Sequence, residues 1–163
     1  MSTDIKIKGI RMEDFVNYKK PSMFIGFPTC SFKCCKEGNF PIEVCQNCEL
    51  ANASTIEVDV NSLIERYMSN PITKAVVCGG LEPLDSYEDL QCFITNFRHR
   101  SGDSVVVYTG YNKVEIEDKV ELLKQFSNII IKFGRFIPNQ QPHYDEVLGV
   151  ELASPNQYAE RIS

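Results

Sequence analysis

No stretch of this 163-residue chain is apolar over anything near the ~20 residues that span a bilayer. Its first residues, Met-Ser-Thr-Asp-Ile-Lys-Ile-Lys, hold no signal-peptide core. Basic residues are in the minority, with 17 Lys and Arg against 22 Asp and Glu and a net charge of −5, so the clustered positive surface of a nucleic-acid binder is missing. No internal repeat, low-complexity tract or interdomain linker interrupts residues 1–163, which read as a single domain. The two histidines, His99 and His143, stand apart and read as solvent-facing. These absences exclude nucleic acid and membrane as partners and lead us to expect a cytoplasmic protein.

Cysteine, by contrast, is concentrated. Five of the seven cysteines fall between Pro28 and Leu50: Cys30, Cys34, Cys35, Cys45 and Cys48. Thiolates packed this densely repel one another unless they are protonated, oxidised to disulfides or neutralised by metal. In a reducing compartment clustered cysteines more often bind metal or do redox chemistry than pair as disulfides. Cys78 and Cys92 lie in apolar elements and read as core thiols.

The cysteine segment follows a short apolar run, Met23 to Phe27, the first confident strand. Ile5, Ile7 and Ile10 before it suggest a peripheral strand or arm, and 11–21 is irregular. Ile56, Val58 and Val60 alternate as a strand would, before Leu63, Ile64, Tyr67 and Met68 take up helical spacing; Asn70-Pro71 stops that helix. Ala75 to Cys78 is continuously apolar, as strands buried on both faces are. Ser86 looks like an N-cap with Asp89 as a partial capping box, opening a helix with Leu90, Phe93, Ile94 and Phe97 on one face. Val105 to Tyr108 and Asn128 to Ile131 are further strands. Between them Asn112 can cap a helix carrying Val114, Ile116, Val120, Leu123 and Phe126 inward. The tail beyond Gly134 reads as loop, with one short strand at Val147 to Leu152. Strands alternating with helices imply right-handed βαβ units and a mostly parallel sheet. Four such strands are too few for a closed barrel. An α/β open partial (β/α) barrel, with the cysteine loop after the first core strand, is the expected fold.

The spacing Cys30-x3-Cys34-x10-Cys45-x2-Cys48 suits a tetrahedral zinc site. It equally suits an iron–sulfur cluster held by three thiolates with one iron open. Taken in isolation the loop slightly favours structural zinc. Gly79-Gly80-Leu81-Glu82-Pro83, at the end of the next strand, shifts the balance. In a parallel sheet both loops open at the same end, where ligands bind, and adjacent glycines let backbone approach a ligand closely.

Cys30-Ser-Phe-Lys-Cys34 after a strand, with Gly79-Gly80-Leu-Glu82-Pro83 one βα unit later, resembles the radical S-adenosylmethionine enzymes. Val106-Val107-Tyr108-Thr109-Gly110-Tyr111 narrows the resemblance to the activases of anaerobic ribonucleoside-triphosphate reductase. So do Ile130 to Phe136 and Ala153-Ser154-Pro155-Asn156-Gln157. It covers roughly residues 20–160. The chain departs from the usual Cys-x3-Cys-x2-Cys, since Glu37 stands where the third cysteine would. Cys45, followed by Asn47, recovers the ending after an enlarged loop. Val44 replaces the aromatic residue that normally precedes the third cysteine, with Phe40 as a possible substitute, and Leu81 is an extra residue before Glu82.

The resemblance implies a [4Fe-4S] cluster on Cys30, Cys34 and Cys45, with Cys35 given no ligand role and Cys48 the rival. It implies S-adenosyl-L-methionine held by Gly79, Gly80 and Glu82, with Thr109 and Asn156 as weaker candidates. A glycyl-radical enzyme, such as an anaerobic ribonucleotide reductase, would be the partner, and flavodoxin the electron donor. The competing readings are a related enzyme with another substrate and a zinc-stabilised α/β binding module without catalysis.

Overall fold

A computed structural model of the chain describes residues 3–45 and 48–163. Its centre is a six-stranded sheet. The strands in chain order are β1 (Asp4–Ile7), β2 (Gly9–Asp14), β3 (Ser22–Phe27), β4 (Ile56–Asp59), β5 (Ala75–Gly80), β6 (Ser104–Tyr108), β7 (Ile129–Phe133), β8 (His143–Asp145), β9 (Val150–Leu152) and β10 (Tyr158–Arg161). The helices are α1 (Lys33–Gly38), α2 (Cys48–Ala51), α3 (Val60–Ser69), α4 (Tyr87–Arg98) and α5 (Glu117–Leu123). Spatial order in the sheet is β10-β7-β6-β5-β3-β2. β3, β5, β6 and β7 run parallel, while β2 and β10 close the two edges antiparallel. β1–β4 and β8–β9 form two small antiparallel pairs.

Parity along the strands divides the core. Met23, Ile25 and Phe27, Val76 and Cys78, Val105 and Val107, and Ile129, Ile131 and Phe133 pack against α3, α4 and α5. The alternate positions Ala75, Val77, Val106 and Ile130 face the other way and pack on Tyr18, Leu148, Leu152 and Ala159. Because the parallel strands follow one another in space, their right-handed crossovers set the helices on one face. The other face is left to the chain's last segment. Phe97 is the hub of the helical layer, 5.0 Å from Tyr67 edge-on and 5.5 Å from Phe93 in a stack. No helix among the described residues is long and apolar enough to cross a membrane.

Several sequence expectations are corrected here. The irregular stretch after Ile10 continues β2 to Asp14, with a register shift between Arg11 and Asp14. Ser86 makes no side-chain cap, because a 3-10 turn, Pro83–Ser86, precedes α4 and is capped instead by Glu82. The Asp89 carboxylate is spent on the Lys6 N–H. Asn112 does form a capping box, with Glu115, but on a 3-10 turn that leaves Val114 76% exposed rather than inward. The tail holds three strands rather than one. His143 is not free in solvent: its Nε2 lies 2.7 Å from the Gln157 carbonyl oxygen.

Candidate functional site

The turns leaving the carboxyl ends of β3, β5, β6 and β7 are bound to one another. The Glu82 N–H donates to Thr29 O (2.8 Å), the Gly110 N–H to Glu82 Oε1 (2.8 Å), and the Gly134 N–H to Tyr111 O (2.9 Å). The Phe136 N–H donates to Cys34 Sγ (3.3 Å). Between these turns lies a cleft that opens to solvent. Cys30, Cys34, Cys35 and Cys45 line it together with Gly80, Glu82, Thr109 and Lys132.

Local geometry presents the thiols. Phe32 adopts φ 57°, a conformation rare for an aromatic residue and costly by about 1–2 kcal/mol. This turn brings the Phe32 N–H to Cys30 Sγ (3.2 Å), and the Phe32 carbonyl accepts the first bond of α1 from Lys36. Cys34 and Cys35 then ride on α1. Burial, the largest influence, pushes the Cys30 thiol up to about 12 and raises Cys34 as well, while the N–H donors and Arg135 oppose it. Such thiols stay protonated until a metal cation supplies the missing positive charge.

Arg135 anchors this loop. Its guanidinium donates to both Glu37 oxygens, to Glu115 Oε2 and to the Gly110 carbonyl. It therefore clamps α1 to the β6 and β7 turns, and it holds the Glu115 carboxyl down near 2. Asp85 adds a second tie, accepting from the Ser31 N–H (3.0 Å) and the Tyr111 hydroxyl (2.5 Å). Tyr111 is thus a packed loop residue.

A second cleft adjoins the first along the helix-free face. It shares Gly80, Tyr108, Lys132 and Gln157 with the first, and Gly79, Asn17 and Glu151 join its lining. Lys132 is 6% exposed, and its ammonium donates to the Gly134 carbonyl at 3.2 Å. Burial presses its ammonium down to about 8. The sequence carried a signal for it, since parity in Ile129-Ile130-Ile131-Lys132-Phe133 sets Lys132 beside Ile130 on the helix-free face.

A profile of the family described as the 4Fe-4S single cluster domain matches residues 22–153, from β3 through β9. The chain belongs to that family. None of the curated proteins compared with it matches. The donor chemistry fits the family's cluster: soft thiols, two of them already accepting N–H bonds, in a cleft partly shielded from water. Among the described residues, no three Cys, His, Asp or Glu side chains group closely enough to hold one metal ion. A single tetrahedral zinc needs its sulfurs about 3.8 Å apart, whereas a 4Fe-4S cube carries its ligands on separate irons and spreads them more widely. Cys48 does not line the cleft.

The other expected residues divide. Gly80, Glu82 and Thr109 stand in the cysteine cleft and Gly79 in its neighbour. Glu82 is 4% exposed, and burial is what lifts its carboxyl to about 7, against bonds from the Gly110 and Leu84 N–H groups and the Thr109 hydroxyl. With three internal donors on it, Glu82 locks the β5 turn to the β6 turn. Asn156 lines neither cleft; its amide donates to Arg135 O (3.0 Å), and Gln157 faces the clefts instead. Phe40 packs edge-on against Phe136 at 6.1 Å, and Phe136 is the ring that lines the cleft. Asn47 lies outside the described residues. Lys132 and Arg135 were not singled out by the sequence reading.

Proposed function

We propose that this 4Fe-4S protein is a radical S-adenosylmethionine enzyme that activates a glycyl-radical enzyme such as an anaerobic ribonucleotide reductase. The observation that carries the reading is the shared cleft: Cys30, Cys34 and Cys45 line it with Gly80, Glu82 and Thr109 at the carboxyl end of a parallel sheet. Cys30, Cys34 and Cys45 would hold the cluster and leave one iron open. A cluster and S-adenosylmethionine held there would supply reductive cleavage of the sulfonium, in which one electron from a flavodoxin-type donor would give methionine and a 5′-deoxyadenosyl radical.

The chain's own contribution is placement. Gly79 and Gly80 end β5, where their backbone amides and carbonyls would meet the cofactor's amino-acid end. Glu82 fixes that turn against Thr109 and Gly110. Asn156 fixes the Arg135 segment, and Arg135 holds α1 and its thiols. Phe136 and Phe32 shield the cleft from water. On this reading the sheet is an open partial (β/α) barrel whose helix-free face admits a polypeptide loop of the partner. The setting is cytoplasmic, where thiols stay reduced.

Reduced, cluster-reconstituted protein is expected to release 5′-deoxyadenosine from S-adenosylmethionine slowly without substrate, and to leave a persistent radical on an added glycyl-radical partner. Cluster-loaded protein that forms no deoxyadenosine under strong reductant would refute the proposal.

A further inference from the structure

The cleft holds one thiol more than an open-iron cluster needs. Cys35 is 6% exposed, yet it belongs to neither hydrophobic cluster of the core; it lines the cysteine cleft. Cys45 lines the same cleft, close enough for the two thiols to interact. Two thiols so near each other in one cleft compete for the same metal position. Their supports differ. Cys35 sits on α1, which Arg135 clamps through Glu37 and whose end is closed by the Asn39 and Phe40 N–H groups on Cys35 O. Cys45 ends a 3-10 turn, Ile42–Val44, whose Ile42 and Val44 side chains are each 43% exposed. The better-anchored thiol is therefore the one that the Cys-x3-Cys pattern leaves out.

We propose that Cys35 and Cys45 share the third ligand position of the cluster, Cys35 taking the iron whenever Cys45 lets go. The inference rests on the cluster lying on Cys30 and Cys34. It needs no electron transfer: one thiolate replaces another on the same iron, and the displaced sulfur takes up the proton that the incoming thiol loses.

The test uses the full chain purified without oxygen as wild type, Cys35→Ala, Cys45→Ala and the double variant, each assayed for iron and sulfide per chain and for the EPR spectrum of the reduced cluster. Each single variant is expected to keep more than about half of the wild-type iron, Cys45→Ala with altered g values, and the double variant to keep almost none. Cys45→Ser, which preserves size, covers the case in which the alanine chain misfolds. Iron lost from both Cys45 variants as completely as from the double variant would overturn the proposal while leaving the cluster in place. A double variant that stays loaded would overturn it too, by pointing to Cys48. Wild-type protein without iron would instead remove the cluster reading itself, and this inference with it.

Discussion

Gly110 carries no side chain in a place where Cys34 leaves little room for one. A Cβ there would stand 3.2 Å from Cys34 Sγ and 3.7 Å from Glu82 Oε1. Gly110→Ala should therefore push that thiol slightly aside and lower iron retention, at a stability cost of about 1 kcal/mol. Iron analysis beside a denaturant titration checks it. Gly80 is a different case. Its φ is 84°, and a Cβ would meet Gly26 Cα at 2.6 Å and Phe27 N at 2.7 Å, both backbone of β3. A valine at Gly80, which the motif alone suggests as a cofactor-binding probe, would instead force β3 and β5 apart. Gly79→Ala meets the rim of the Phe24 ring at 2.9 Å and Tyr108 Cβ at an ordinary 3.7 Å, with no backbone in the way, and is the cleaner probe of close approach. Glu82 gives a pH signature. Burial holds its proton to about 7 in the folded chain against 4.5 when free. Stability from this group is then fully present below 4.5 and declines as pH rises to about 7, by an amount of order 3 kcal/mol. Urea midpoints of cluster-free protein between these pH values should show that decline, and Glu82→Gln should flatten it.

Among the elements, α1 depends on a partner 98 residues away, since Arg135 grips Glu37 through two nitrogens. Lysine cannot reproduce that fork. Arg135→Lys should weaken the α1 anchor and raise hydrogen exchange in residues 33–38 while β5 and β6 stay protected. Unchanged exchange in α1 would remove Arg135 from the role of clamp. The same contrast explains what the sequence could disclose. β3, β5, β6 and β7 were readable because strands buried on both faces must be apolar throughout, and α4 because Leu90, Phe93, Ile94 and Phe97 repeat at helical spacing. β9 lies inside the strand expected at Val147 to Leu152, but β8 and β10 were not readable, since they are short and carry polar residues whose partners lie elsewhere in the chain. The cysteine loop and the double glycine were legible as chemistry. Their enclosure by Lys132, Arg135 and Gln157 was not, because only the crossover topology brings the β7 turn against α1.

At the scale of the whole molecule, stability and site are separable. The helices supply most of the buried apolar surface on one face of the sheet, and the cysteines lie at the strand ends. Phe97→Ala opens a cavity among Tyr67, Phe93 and the sheet, and should cost about 3–5 kcal/mol by denaturant unfolding. Native Phe97→Ala protein should still bind iron at the wild-type ratio. Loss of iron without loss of stability in this variant would show that the helical layer reaches the cleft.

The clamp also has a consequence in time. Cys34 waits for the Phe136 N–H, 102 positions later, and Glu37 for Arg135, 98 positions later. At ribosomal rates of about 5–20 residues per second, the thiols emerge roughly 5–20 s before the segment that will close over them. During synthesis the cysteine loop is a nascent chain with reactive sulfur and no cover. Whatever reaches it in that interval, iron or an oxidant, acts before the protein can shield it.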